Sequence, residues 1–282
     1  MLYTKGETLF GIDRAFRLRD AENFIIVEGA PDALRLQSIG LENTVASLGT
    51  SWNENQLNLL KRYKSSLCFI PDSDVAPEGQ YGPGFKAVME CGTLAIRKGF
   101  HATVKELPFG TRELTEEELQ EKYEGAIPKD AQREVLVKND ADSYILSEEI
   151  YRNLREKHFI VWLAEKQFAT ASSLLREINC VNQIADLLRY VKDQFVYEQC
   201  IEQLSKIYGK ARLWKDAVTQ ARNQAKRAKQ PTMMDKQQEE TDALRQLNLF
   251  VRNNCYYCLG KDDEDPIRLS NFRMEPLFHI HD

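Results

Sequence analysis

An α/β domain with a four-stranded parallel sheet flanked by helices, then an all-α helical subdomain and a short, partial β-rich C-terminal segment, is the architecture these 282 residues predict. Three observations carry that expectation. Over residues 24–107, short apolar runs bounded by turn residues alternate with amphipathic stretches of helix length, the pattern of a parallel sheet covered on both faces. From Ser147 the apolar period changes to recurrences at three and four. Past a polar stretch at 230–242, short apolar and aromatic runs return.

Each element has a local cause. Phe24 to Glu28 reads as the first strand. Pro31 to Ile39 reads as a helix, with Pro31 in the first turn, where its missing N–H costs nothing, and Gly40 just past the end. Thr44 to Leu48 is the second strand and Asn53 to Tyr63 the next helix, with Asn53 as N-cap. Leu67 to Pro71 forms the third strand, Phe85 to Lys98 the third helix, closed by Gly99, and His101 to Leu107 the fourth strand. Strands joined by helices of this length imply right-handed crossovers. Thr115 with Glu118 three residues later is a capping box, so the acidic stretch at 108–134 holds a short exposed helix and reads as a solvated insertion. Ser147, with Glu148 and Glu149 after it, opens the helical part.

Three acidic clusters lie along this frame: Glu28-Gly29 with Asp32, Asp72-Ser73-Asp74, and Asp140-Ala141-Asp142. The first two follow strands, and carboxylates at the carboxyl ends of parallel strands face the crevice where such sheets bind ligands. In an extended segment Asp72 and Asp74 project to one side, placed to share a hard, oxygen-seeking cation such as Mg2+ or Mn2+. Gly29 lets backbone approach phosphate closely.

All three clusters sit in text that resembles the Toprim domain of bacterial DnaG-type DNA primases. The matching stretches run Phe24 to Gly29, Leu41 to Thr50 (with Val45-Ala46-Ser47-Leu48-Gly49-Thr50 the most specific), Gln56 to Tyr63, and Cys68 to Asp74, and Lys138 to Ile145 resembles the segment that carries the last acidic pair. Tyr197 to Gly209 looks like the helical subdomain that follows the primase Toprim. The resemblance implies residues 1–20 as a lead-in from a preceding polymerase subdomain, a Toprim domain at 21–146, a helical subdomain at 147–229, a linker at 230–242, and the start of a truncated C-terminal domain at 243–282. A zinc-binding domain and a basic half of the polymerase region are expected upstream, and with them missing little activity is expected of the chain alone.

The implied function is synthesis of short RNA primers by metal-dependent nucleotidyl transfer. Catalytic roles fall to Glu28, Asp32, Asp72 and Asp74, and metal ligation to Glu28, Asp72, Asp74, Asp140 and Asp142. Implied partners are a single-stranded DNA template, ribonucleoside triphosphates, a replicative helicase and a separate zinc-binding primase domain, in a phage-like or mobile-element version of the enzyme. A Toprim nuclease, and a non-catalytic replication module that binds a helicase, are the alternatives.

Composition sets bounds on these readings. A net charge of −5 is unusual for a self-sufficient nucleic-acid binder, whose affinity comes chiefly from Lys and Arg meeting phosphate. The one basic stretch, Lys210 to Lys229, reads as a solvated final helix. No apolar run is long enough to span a bilayer, and the cysteines at 68, 91, 180 and 200 read as reduced core residues of a cytoplasmic protein. Cys255 and Cys258 have metal-ligand spacing with His279 and His281 downstream, but residues three apart on a strand face opposite sides, so zinc is not expected.

Overall fold

A computed structural model describes residues 8–18, 21–47, 52–77, 80–124, 128, 131–228, 249–252, 255–258 and 267–270. The chain forms two compact units, residues 1–222 and 223–282. After a single helical turn, α1 (Ile12–Ala15), the first unit alternates β1 (Phe24–Val27), α2 (Ala30–Ser38), β2 (Thr44–Ala46), α3 (Glu54–Lys61), β3 (Ser66–Phe69), α4 (Pro83–Arg97) and β4 (His101–Lys105). The strands pair in the order β2-β1-β3-β4, all parallel. Every residue of β1 and β2 is buried, which is why these strands lack polar alternation.

The caps act where the residues indicate. Asn53 Oδ1 accepts the Gln56 N–H at 3.0 Å and Gln56 Oε1 accepts the Asn53 N–H at 3.1 Å, opening α3. Gly40 ends α2 at φ 99°, a left-handed backbone that glycine adopts without penalty. The lead-in also joins the sheet: Phe10 and Ala46 exchange backbone hydrogen bonds of 2.9 and 3.1 Å.

Three expectations are corrected. The sheet has five strands, not four, because β7 (Glu156–His158) adds antiparallel to β4. The acidic insertion is more than a loop with one helix. It is a hairpin of β5 (Gly110–Glu113) and β6 (Glu134–Val137) around α5 (Glu116–Lys122), with the Thr115–Glu118 capping box in place. The hairpin leads into α6 (Ala141–Tyr144) and α7 (Glu148–Asn153), the latter capped by Ser147.

The third correction concerns the boundary near residue 147, where the period changes but the core does not. Helices α8 (Phe159–Thr170), α9 (Leu174–Leu188), α10 (Gln194–Ile207) and α11 (Ala211–Ala228) bury Trp162, Ile184, Leu188, Leu204 and Trp214 in one cluster with Phe24, Leu67 and Phe69 of the sheet. Six consecutive residues of α8, Phe159 to Ala164, are buried, as befits a helix wrapped on all sides. Helix α4 comes close enough that a Cβ on Gly92 would lie 2.1 Å from the Phe159 ring. Phe159 and Trp162 lie in this core and Phe168 packs against it, stacked on Tyr208 at 4.6 Å.

Cys68, Cys91 and Cys200 are buried and Cys180 is half-buried, all as free thiols. No helix among the described residues is long and apolar enough to cross a membrane. In the second unit, β8 (Leu249–Arg252), β9 (Cys255–Cys258) and β10 (Ile267–Arg268) form an antiparallel sheet, and the Cys255-to-Cys258 segment is a strand as its aromatic pair suggests. His279, His281 and the linker at 230–242 lie outside the described residues.

Candidate functional site

The sheet order places β1 beside both β2 and β3, so the chain leaves β1 and β3 in opposite directions around the sheet and opens a crevice at their carboxyl ends. Glu28 follows β1 directly, and Ile70-Pro71 carries Asp72 just beyond β3, with the Ile70 N–H bonded to Ile26 O at 2.9 Å to keep the two strand ends level. Below them lies a cavity of about 30 Å3 lined by Glu28, Ser47, Trp52 and Gly84 among apolar strand residues.

Asp72 is 4% exposed. Burial raises its pKa above the usual carboxylate range, and the negative charges of Asp32 and Glu28 push the same way, against the pull of Lys138. Asp74 is held differently. Its Oδ2 accepts the Gly84 N–H at 2.7 Å, at the amino end of α4, where free amides and the helix dipole favour an anion. That contact depends on two glycines: a Cβ on Gly82 would fall 2.2 Å from Asp74 Cβ, and one on Gly84 would fall 3.2 Å from the Asp72 backbone.

The third cluster reaches the second through a stitch that the residue pattern does not reveal. The Ser73 N–H donates to Asn139 O at 3.0 Å, and the Asn139 N–H donates back to Ser73 Oγ at 2.8 Å. Ser73 is 1% exposed, so these groups have little water to fall back on. Asn139 Nδ2 also donates to Pro108 O at 2.8 Å, tying in the base of the hairpin. With 138–140 fixed beside 72–74, Lys138 Nζ lies 2.9 Å from Asp72, 3.4 Å from Asp74 and 2.8 Å from Asp140. Desolvation works against the ammonium charge, but hydrogen bonds to Asp140 and Asp72 outweigh it and raise the Lys138 pKa.

Asp32, expected among the catalytic carboxylates, has both oxygens engaged by backbone amides. Its Oδ2 accepts the Gly29 N–H at 2.9 Å and its Oδ1 the Asp142 N–H at 3.1 Å, so it locks the turn after β1 and clamps α6 against α2. Burial raises its pKa, against those two amide bonds. Asp142 enters this contact through its backbone amide rather than its carboxylate. Gly29 is the N-cap of α2, with φ −112°, and its amide is spent on Asp32.

The side chains of Glu28, Asp72, Asp74, Asp140 and Asp142, the expected metal set, are not gathered into one cluster. Among the described residues no three His, Cys, Asp or Glu side chains converge at metal-binding distance. The reason is local: the Lys138 ammonium fills the space between Asp72, Asp74 and Asp140, and Asp74 turns one oxygen to α4. The donor chemistry still suits a hard cation. Glu28 Oε2 and Asp72 Oδ1 are buried oxygens without a hydrogen-bond donor, and such atoms are costly unless a positive charge meets them, as Lys138 meets Asp140 Oδ1 at 2.8 Å. The residue pattern gives no role to Lys138, Ser73 or Asn139, although Lys138 stands two residues before Asp140 and a cation there is the one local hint.

Known proteins resemble this chain in sequence and in fold. Residues 25–111 match the family described as Toprim-like (Toprim_2). The DNA primase of Clostridium acetobutylicum is 37% identical over 91 residues, covering 32% of this chain and 15% of that protein. The DNA primase of Staphylococcus aureus is 24% identical over 205 residues, 70% of this chain and 31% of that protein. The chain thus spans less than a third of the length of these relatives. Among solved structures, a DnaG primase catalytic domain bound to single-stranded DNA superposes with a TM-score of 0.51 at 17% identity, over 72% of this chain and 58% of the other, a likeness of fold. The chain carries a Toprim-like domain similar to that of bacterial DNA primases.

Proposed function

We propose that this chain is the Toprim catalytic part of a DNA primase, which makes short RNA primers on single-stranded DNA by nucleotidyl transfer with Mg2+ or Mn2+. The observation that carries the reading is the pair of buried, unsatisfied carboxylate oxygens of Glu28 and Asp72 at the crevice between β1 and β3. Glu28, Asp72, Asp74 and Asp140 would hold the ion, with Asp142 near them. When bound, the metal lowers the pKa of an attacking hydroxyl and screens charge that develops on phosphate.

The protein's own part is to position and to exclude water. Asp32 holds the Gly29 turn so that Glu28 faces the crevice, the Ser73–Asn139 stitch keeps Asp72 and Asp140 together, and the Gly84 amide fixes Asp74. Glu28, with no donor on Oε2, is the group free to exchange a proton with substrate. Template, ribonucleoside triphosphates, a helicase and a separate zinc-binding primase domain are the partners this reading calls for, in a cytoplasmic enzyme of a phage-like or mobile element.

The test is incubation with a single-stranded template, ribonucleotides and Mg2+ or Mn2+, with the rest of a primase polymerase region supplied in parallel reactions. Short products lost on Asp72→Asn with Asp74→Asn support the reading. Shortening of the oligonucleotide assigns nuclease chemistry to the same carboxylates, and no reaction with tight helicase binding assigns a non-catalytic module. Calorimetric titration should show Mn2+ binding by the unmodified chain and none by the double variant, whose fold is favoured by the relief of like-charge repulsion among the carboxylates.

A further inference from the structure

Lys138 is delivered to the acidic crevice by the fold. It follows β6 directly, and the next residue is pinned by the paired Ser73–Asn139 bonds of 3.0 and 2.8 Å, so its backbone cannot drift from the Asp72-to-Asp74 segment. From that anchor one ammonium reaches three carboxylates, at 2.9, 3.4 and 2.8 Å. An ammonium has three donors and no acceptor, so three anionic partners saturate it. The oxygens it engages belong to the residues that a divalent ion at this site needs. Its side chain is 43% exposed while that of Asp72 is 6% exposed, so the carboxylate is fixed and the lysine stem has a path to solvent.

We propose that Lys138 is a built-in counter-cation that competes with the divalent metal: it neutralises Asp72, Asp74 and Asp140 while no ion is bound and must swing out for the ion to enter. The inference rests on the metal reading above and adds a control on it. Without Lys138, three clustered carboxylates would repel one another in the metal-free protein, and the ion would enter without displacing a charge. Metal affinity is thus set partly by a residue that is not a ligand. The acidic site is held together in the absence of ion by the same residue.

The experiment compares the unmodified chain with Lys138→Met and Lys138→Gln, by calorimetric titration with Mn2+ and by thermal unfolding with and without Mn2+. Both variants should bind Mn2+ about 10- to 100-fold more tightly, the scale of one charge-assisted hydrogen bond lost by the competitor. Both should unfold at lower temperature in chelator and gain more from Mn2+ than the unmodified chain does. Lys138→Gln keeps a polar donor, so it serves if the methionine variant does not fold without metal. Lys138→Arg keeps the charge and should stay nearer the unmodified affinity. Equal or weaker Mn2+ binding in both neutral variants, at a site still abolished by Asp72→Asn with Asp74→Asn, overturns the inference alone. No Mn2+ binding by any of these proteins overturns the metal reading and the inference together.

Discussion

Replacing Gly82 by alanine should be among the most damaging single-methyl changes near the acidic crevice. The residue has φ −64°, open to any amino acid, so no backbone strain enters the comparison. The added Cβ would lie 2.2 Å from Asp74 Cβ, 3.0 Å from its Oδ2 and 3.1 Å from its Cγ. Non-bonded carbons rest at about 3.5–4.0 Å, so the Asp72-to-Asp74 segment and the start of α4 must part by more than about 1 Å. Forced repacking of this kind costs about 1–3 kcal/mol. The same movement breaks the 2.7 Å bond from the Gly84 N–H to Asp74 Oδ2, a charged hydrogen bond on the order of 1.5–3 kcal/mol. With partial relaxation, a loss of about 3 kcal/mol is expected. Urea unfolding measures it as a lower midpoint at unchanged slope. Gly40→Ala is the control, since nothing lies within 4 Å of its Cβ and only the strain of φ 99° opposes it, about 1 kcal/mol. Gly82→Ala within about 0.5 kcal/mol of the unmodified chain would show that the acidic segment is not pressed against α4.

Two further outcomes test the packing beyond the site. Gly92→Ala sets a methyl 2.1 Å from Phe159 Cε2, and its overpacking, about 1–3 kcal/mol, should exceed the roughly 1 kcal/mol gained in helix propensity. Because sheet and helices of the first unit share one cluster, that unit should unfold in a single transition shifted to lower temperature, with Phe159→Leu restoring part of the loss, and separate melting of its sheet and its helices would contradict the shared core. His158 caps α8 through Nδ1, which accepts the Ile160 N–H at 3.3 Å, and burial, with the nearby His101 charge, lowers its pKa to about 3. The unfolded chain then binds this proton when the folded one does not, so the stability is full above the unfolded pKa of about 6.5 and falls as pH drops towards 3, by at most about 1.4 kcal/mol per unit. His158→Asn keeps a capping oxygen and removes the titration, so its stability should fall less steeply from pH 6.5 to 4.5, and identical slopes would remove His158 as the cause.

Local chemistry was legible because it is local. The Asn53 and Ser147 caps, the Thr115–Glu118 box, the Gly40 stop and the fully apolar β1 each depend on residues within a few positions of one another, and the structure forms all of them. The acidic clusters were legible for the same reason, since a strand followed at once by carboxylates needs only the strand to be recognised. The VASLGT segment, which carried much of the resemblance, lies partly outside the described residues, at 48–50.

Tertiary structure decided what those carboxylates meet. Ser73 and Asn139 are 66 positions apart, and nothing in either segment alone says that they pair. The same holds for Asp32 and Asp142, 110 positions apart, whose contact engages an expected catalytic carboxylate with a backbone amide. β7 joins the sheet from within the helical part, and α8 closes over it, because buried apolar surface is satisfied by whichever neighbour the chain brings to it. Sequence alone determined that the crevice would be acidic, since side-chain charge travels with the residue. Only the fold decided that Lys138 stands among the acids, because a counter-charge is selected by distance in space and not by distance along the chain.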